Sequence, residues 1–184
     1  MQKTSNSVRI QKMCIAALLC AVGILIPMVM PIKLVLGPMS FTLASHVALF
    51  LAMFISPAVA LTVEVGTTLG FLLAGFAPVV VLRAASQIVF VVLGALWLKR
   101  HAGGKTPLQL FLFGLVCGVI HGACEALVVT CFWFGGAAME GTFVSTVLGL
   151  VGVGTLVHSM VDFYLALLIW KPVGKLVSVP VVYR

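Results

Sequence analysis

Long apolar stretches separated by short breaks follow one another along almost the whole chain, from about residue 13 onward. Most of them approach the roughly 17–25 residues that an α-helix needs to cross a hydrocarbon core of about 30 Å. Because unpaired backbone amides are costly in lipid, such stretches form helices or a closed barrel, and long uninterrupted apolar runs favour helices. The pattern predicts an all-α integral membrane protein with six spanning helices, at about residues 12–30, 42–56, 58–76, 78–98, 107–134 and 143–170.

Prolines mark several of the predicted boundaries. Pro27 and Pro31 bend or end the first helix, and Pro57 allows a tight connection after the second. Pro78 and Pro107 open the fourth and fifth helices, because proline is favoured in the first helical turn. No stretch resembles an appended soluble domain, so residues 1–184 are expected to form a single membrane domain in a compact bundle.

The composition excludes a soluble globular protein. Of the 184 residues, 62% are hydrophobic and 8% are charged, and the mean hydropathy is +1.28. Arg9 and Lys12 precede the first apolar run as in a secretory signal, but similar runs follow throughout, so this segment is expected to be a retained span. The five cysteines lie in apolar runs without a CxxC pair, which favours free buried thiols over disulfides or zinc.

The basic residues test the number of helices independently, because cytoplasmic loops are enriched in lysine and arginine. With the amino terminus inside, six helices place nine of the eleven basic residues on the cytoplasmic side, whereas Lys33 and Glu140 fall in outer loops. The nine are Lys3, Arg9, Lys12, Lys99, Arg100, Lys105, Lys171, Lys175 and Arg184. The pattern predicts that both termini are cytoplasmic. It also explains the net charge of +7 without a nucleic-acid partner.

Several ionisable residues lie inside the predicted helices, where each charge costs about 2.5–3.5 kcal/mol and is expected to find a partner in the bundle interior. Arg83 and Glu125 both belong to outer halves of helices and can meet, with His121 one turn below Glu125. A second set falls in an inner layer and is expected to be structural. This inner set is Glu64, His158 and Asp162, and His46 is the remaining intramembrane histidine.

Small residues indicate close packing and room for a ligand. In "CIAALLCAVG", Ala17 and Ala21 form a ridge that lets another helix approach closely. Glycines in "VGTTLGFLLAGF" and "LGLVGVGTL" thin the third and sixth helices, which suits tight crossings or a cavity. The chain has no GxSxG, HExxH or GxxxxGK[ST] motif, so neither hydrolytic chemistry nor ATP hydrolysis by this chain is expected.

The chain resembles the substrate-binding (S) components of energy-coupling-factor (ECF) vitamin transporters, bacterial membrane proteins with six helices and both termini inside. Besides the alanine ridge, the resemblance lies in "GPMSFTLASHVALFLAMFISPAVAL", "GTTLGFLLAGFAPVVVLRAASQ", "HGACEALVV" and "GTLVHSMVDFYLALLIWK". It covers nearly the whole chain. The cobalamin-type branch is the most similar and the niacin-type branch the second.

This resemblance implies an ABC-type importer in the bacterial cell membrane, whose transmembrane coupling subunit and two ATPase subunits are separate chains. Ala17 and Ala21 would form the surface for the coupling subunit. The vitamin would bind in an outward-facing cavity between the outer halves of the fourth to sixth helices, capped by residues 33–40, 75–78 and 135–142. The residues expected to line or underlie this cavity are Arg83, His121, Glu125, Phe76, Trp133 and Phe134.

Two vitamins fit these expectations. Niacin is a small aromatic carboxylate that suits Arg83 and a stacking ring, whereas a corrinoid needs a wide, mostly apolar cavity. Abundant glycine and alanine, with Arg83 neutralised by Glu125, favour cobalamin over niacin. No permanently bound cofactor, metal or enzymatic activity is expected. Two other classes stay open, namely an ion-coupled secondary transporter with the buried carboxylates as proton sites, and an intramembrane enzyme that uses His121 and Glu125.

Overall fold

The computed structural model describes residues 5–36 and 39–183. Lys3, Arg184 and part of the expected capping loop 33–40 lie outside the described residues. The described part contains seven α-helices, one π-helix and a two-stranded antiparallel hairpin. The elements are α1 (Ser5–Val29), β1 (Lys33–Leu36), β2 (Met39–Thr42), α2 (Val47–Ile55), α3 (Pro57–Leu73), α4 (Pro78–Ser86), α5 (Ile88–Arg100), α6 (Pro107–Phe134), the π-helix (Val144–Val153) and α7 (Gly154–Leu176).

These elements form six helical segments, as the apolar pattern predicts. Gln87 alone separates α4 from α5, and the π-helix runs directly into α7. Four segments are long and apolar enough to cross a membrane, and α3 is a shorter apolar helix. The four are Asn6–Val29, Pro78–Arg100, Pro107–Phe134 and Val144–Leu176. The fold is therefore a helical membrane bundle.

The second segment differs from its prediction over 42–56. Residues 39–42 pair with β1, and α2 begins only at Val47, after a turn. With nine residues, α2 is about 14 Å long, too short to span the bilayer alone. Eight of its nine residues are buried, and it packs against α1, α3, α5 and α7. This short helix thus forms the centre of the bundle.

Helix starts follow the proline and cap signals in the sequence. Pro57 lies in the first turn of α3, where the Ser56 hydroxyl accepts a hydrogen bond from the Val59 amide at 3.3 Å. Thr106 and Gln109 form a capping box at the start of α6, which contains Pro107 in its first turn. Each cap satisfies amides that the first turn of a helix leaves without a partner.

Glycines bring helices into close contact rather than leaving space between them. A Cβ atom on Gly66 of α3 would lie 2.6 Å from Cys20 Sγ of α1. One on Gly122 of α6 would lie 2.6 Å from the carbonyl oxygen of Gly152 in the π-helix. Small residues permit such approaches, on which helix association in membranes depends. The five cysteines are free, as expected, although only Cys117 is buried.

Residues near both chain ends lie at one end of the bundle. The Ser178 hydroxyl donates a hydrogen bond to Gln11 Oε1 at 3.4 Å, which joins the segment after α7 to α1. Trp170 Nε1 donates to the carbonyl oxygen of Tyr183 at 3.2 Å, and the Tyr183 ring packs against Phe54 of α2. This arrangement agrees with an even number of passes. The cytoplasmic placement of this end stays a prediction.

Candidate functional site

A cavity of about 370 Å³ lies between the hairpin, the α3–α4 loop and the surrounding helices. The rings of Phe41, Phe71 and Phe76 line it, together with charged and hydrogen-bonding side chains. The polar groups are Thr42, Ser45, His46, Thr67, Arg83, Gln87, Glu125, Thr155 and His158. A cavity lined by aromatic rings and a few convergent polar groups is typical of a small-molecule site.

Arg83 and Glu125 meet in the wall of this cavity, which confirms that they form a pair. The Arg83 guanidinium nitrogen Nη2 lies 3.0 Å from Glu125 Oε2. The Thr155 hydroxyl donates to the same oxygen at 2.7 Å, and His121 Nε2 lies 3.4 Å from Oε1. Only 8% of Arg83 and 2% of Glu125 are exposed. The two charges therefore balance each other in a site that is shielded from solvent.

Asp162 of α7 anchors the irregular stretch before α2. Its Oδ1 accepts a hydrogen bond from the Ala44 amide and its Oδ2 from the His46 amide, both at 2.8 Å. Ala44 has a φ of 68°, a left-handed conformation that non-glycine residues seldom adopt. Non-helical backbone in a membrane bundle needs internal partners, because lipid supplies none. This role agrees with the structural task expected of Asp162.

His46 joins the two polar clusters that the sequence analysis treats as separate. Its Nδ1 lies 3.0 Å from Asp162 Oδ2, and its ring centroid lies 5.0 Å from that of His158 and 4.6 Å from that of His121. On its other side, Gln87 Nε2 lies 3.3 Å from His46 Nε2. One polar network therefore runs from Asp162 to Glu125.

Glu64 takes a different position from the one expected beside His158 and Asp162. It is buried in α3 and accepts a hydrogen bond at 3.2 Å from Thr68 of its own helix. The hydrogen bonds to Asp162 come instead from residues 44–46, and Ser45 links His158 to the same stretch at 3.0 Å. His158 and Asp162 thus belong to the cavity network.

The predicted aromatic residues divide between two places. Phe76 lines the cavity and stacks on Phe71, with ring centroids 4.7 Å apart. Trp133 and Phe134 instead contact Phe143, at 5.9 Å and 5.7 Å between ring centroids, and neither lines the cavity. Residues 135–142 do not line it either, so the described cap consists of the hairpin and the α3–α4 loop.

His121 underlies the cavity rather than lining it. It is fully buried, and its ring stacks on Phe90 with centroids 4.7 Å apart. Its ring meets that of His46 edge to face, so it supports the wall from behind.

One group of side chains in the described part has ligand atoms close enough for a metal ion. These atoms, in His46, His158 and Asp162, lie within 4.8 Å of one another. However, Oδ2 of Asp162 already receives the His46 amide and the His46 ring nitrogen, and Oδ1 receives the Ala44 amide. The carboxylate is therefore satisfied by hydrogen bonds in the arrangement that the structure shows.

Sequence reasoning missed Ser45, Gln87 and Thr155, and gave His46 no task. For two of these residues a signal was present. Gln87 follows Arg83 by four residues, and Thr155 precedes His158 by three, so each shares a helix face with a residue already singled out. Ser45 and His46 carry no such signal, because a helix that started at residue 42 would point their side chains in other directions than the turn before α2 does.

The fold defines a multi-pass membrane protein with a polar cavity between its helices. The chain is 42% identical over 167 residues to the niacin transporter NiaX of Lactococcus lactis subsp. cremoris (strain MG1363). The alignment covers 89% of this chain and 74% of the relative. The chain belongs to the family of this transporter and is a multi-pass protein of the cell membrane. No family model and no solved structure matches it.

Proposed function

We propose that the chain is the niacin-binding S component of an ECF-type importer. The observation that carries the proposal is the polar cavity around Arg83 in a chain that is 42% identical to a niacin transporter. The relative is named as a transporter, which favours transport over the intramembrane enzyme among the classes left open by the sequence.

The chemistry of the cavity suits nicotinic acid, a planar pyridine ring with one carboxylate. The ring would lie against Phe71 and Phe76, and the carboxylate would face Arg83. Because Arg83 is already balanced by Glu125, the ligand would share the guanidinium with that residue, helped by neighbouring neutral donors. Charge-assisted hydrogen bonds to a guanidinium are among the stronger contacts available to a carboxylate.

Thr67 offers a partner for the pyridine nitrogen. It lines the cavity, and its hydroxyl is buried against Gly23 of α1, where it makes no hydrogen bond with any described residue. A buried hydroxyl without a partner costs free energy, and rotation about the Cα–Cβ bond toward a ligand that accepts a hydrogen bond from it removes this cost. We assign it the task of donating to the ring nitrogen.

Niacin replaces cobalamin as the proposed substrate. The many glycines favour cobalamin only if they leave a wide cavity, but Gly66 and Gly122 lie in close helix contacts. Sites for drug-sized ligands span about 300–1,000 Å³, and the volume of about 370 Å³ is near the lower limit. A corrinoid is much larger than such ligands, whereas a single substituted ring fits.

The partners are part of the same proposal. The coupling subunit would dock on the face of α1 that carries Ala17 and Ala21, both of which are exposed in this chain. Two ATPase subunits would supply the energy, since the chain has no phosphate-binding loop. Both termini would then be cytoplasmic, and the cavity would open to the outside.

Calorimetric titration of the purified chain tests the substrate. We expect saturable heat with nicotinic acid and none with cobalamin. In a separate uptake assay, we expect transport only when the coupling and ATPase subunits are co-expressed. Heat with cobalamin alone would reverse the assignment. Niacin uptake by vesicles that contain only this chain, abolished by an uncoupler, would instead identify an ion-coupled secondary transporter.

A further inference from the structure

A second, apolar groove lies between α5 and α6, near the end of the bundle at which α5 ends and α6 begins. Its volume is about 620 Å³. Leu93 and Leu96 of α5 form one wall, and Leu112 and Val116 of α6 form the other. All four side chains are exposed to at least 40%, so the groove faces the surroundings of the bundle. In a membrane, these surroundings are acyl chains.

One end of the groove is basic. Arg100 lines it, together with Trp97, where α5 ends. Lys99 precedes Arg100, and Lys105 holds its amine 5.6 Å from the centroid of the Trp97 ring while donating to the carbonyl oxygens of His101 and Gly103. Trp, Lys and Arg at the end of an apolar helix are typical of the membrane–water interface.

The chain supplies no side-chain carboxylate for this basic end. It has four acidic residues in all. Glu64, Glu125 and Asp162 are buried within the bundle. Glu140 follows α6 at the far end of that helix, whereas the basic end of the groove adjoins its start. Lys99 and Arg100, both exposed, are therefore available to an anionic group from another molecule.

We propose that this groove binds one anionic phospholipid, with an acyl chain along the groove and the phosphate at Arg100. An acyl chain matches the leucine and valine walls, and a phosphate is the anion that an interfacial guanidinium meets in a bilayer. Basic pockets between membrane helices are known to select anionic headgroups, with about 1 kcal/mol contributed by each basic residue near the surface.

Native mass spectrometry of the purified chain tests the site with defined lipids. Phosphatidylglycerol and phosphatidylcholine of identical acyl chains are added in turn, and the bound lipid is counted. We expect one phosphatidylglycerol to be retained in preference to phosphatidylcholine. Arg100→Gln should weaken its retention by roughly fivefold, while Lys175→Gln, which removes a basic residue at the end of α7, should leave it unchanged.

A second variant separates the groove from general charge attraction. Val116→Trp fills the groove but keeps every basic residue, so it should also lose the retained phosphatidylglycerol. Circular dichroism and niacin titration show whether each variant is folded. Equal retention of the two lipids by the unaltered chain, or unchanged retention in either folded variant, overturns the proposal. An equal fall in retention in the Lys175 variant also overturns the proposal, because such a fall indicates charge attraction without a specific site.

Discussion

Single residues set the charge balance of the cavity. Arg83 and Glu125 share a contact of 3.0 Å, and each is almost inaccessible to solvent. Removing one partner of such a pair leaves the other charge buried without compensation, which costs about 3–5 kcal/mol. Removing both charges together avoids that cost. The pair can therefore be tested for stability and for ligand binding separately.

Arg83→Gln should lower the free energy of unfolding by about 3–5 kcal/mol and abolish niacin binding. The double variant Arg83→Gln with Glu125→Gln should regain much of the stability but not the binding, because the ligand carboxylate still lacks its guanidinium. Denaturant unfolding in detergent and calorimetric titration provide the two measurements. A double variant that binds niacin as well as the unaltered chain would remove Arg83 from the proposed site.

Thr67→Val tests the proposed contact with the pyridine nitrogen. The hydroxyl has no hydrogen-bond partner among the described residues, so its loss should not lower stability. Niacin affinity should fall by roughly two- to twelvefold, the equivalent of about 0.5–1.5 kcal/mol for one neutral hydrogen bond. Thr62→Val is the matched control, since that hydroxyl bonds to the Ala58 carbonyl oxygen outside the cavity. Equal affinity in both variants would contradict the contact.

Among the elements, the contact of α6 with the π-helix fixes how Glu125 and Thr155 face each other. Gly122 lies against the carbonyl oxygen of Gly152, three residues before Thr155 on the chain. A π-helix has a wider turn than an α-helix and is often found at functional sites. The backbone approach at Gly122 is what brings the Thr155 hydroxyl within 2.7 Å of Glu125.

Gly122→Ala should therefore destabilise the bundle by about 1–3 kcal/mol, since the added methyl group is forced against backbone. Niacin affinity should fall in parallel. Gly104→Ala is a suitable control, because a Cβ at Gly104 meets nothing within 4 Å. Thermal unfolding of both variants in the same detergent makes the comparison. If the two variants melt at the same temperature, the close approach at Gly122 does not contribute to stability.

The sequence predicts long elements better than short ones. Apolar length and proline signals identify α6 and the joined α4 and α5. The positions of Arg83 and Glu125 along these helices place both at a similar depth in the membrane, which predicts their pairing. The start of α2 was wrong because "FTLASHVALF" is apolar enough to continue a helix. The helix instead starts later because Asp162, 118 residues further along the chain, accepts a hydrogen bond from the Ala44 amide and holds this stretch in a turn. Such a distant partner leaves no local pattern.

Depth along a helix is also easier to predict than direction around it. The sequence predicts Trp133 near the cavity mouth because it lies close to the outer end of the fifth predicted helix. The eight residues of α-helix from Glu125 to Trp133, however, add about 12 Å of rise and turn the side chain by about 80°. Trp133 therefore reaches the cluster around Phe143 and Val147 instead of the cavity.

For the whole molecule, the account requires separate surfaces for substrate and partners. Ala17 and Ala21 are exposed on α1. Only 17% of the apolar stretch of this helix is buried within the bundle. The cavity lies between the helices in the interior of the bundle. Among the described residues of α1, Pro27 lines it. Changes on the alanine face should thus affect assembly without affecting the ligand.

Replacing Ala17 or Ala21 with tryptophan should prevent co-purification with the coupling subunit and abolish uptake, because a bulky side chain keeps the helices apart. Calorimetric niacin affinity should stay unchanged. Val22→Trp provides the control and should keep co-purification and uptake, since Val22 is exposed and lies about 100–140° around α1 from the two alanines. Loss of niacin binding in the alanine variants would show that this face is not independent of the cavity.

An experimental structure of the chain with bound nicotinic acid tests the central claim most directly. The account predicts ligand density in the cavity, with the ring against Phe71 and Phe76 and the carboxylate within hydrogen-bonding distance of Arg83. Ligand density on another surface, with this cavity empty, would contradict it. So would a structure in which Arg83 and Glu125 are separated and turned toward acyl chains.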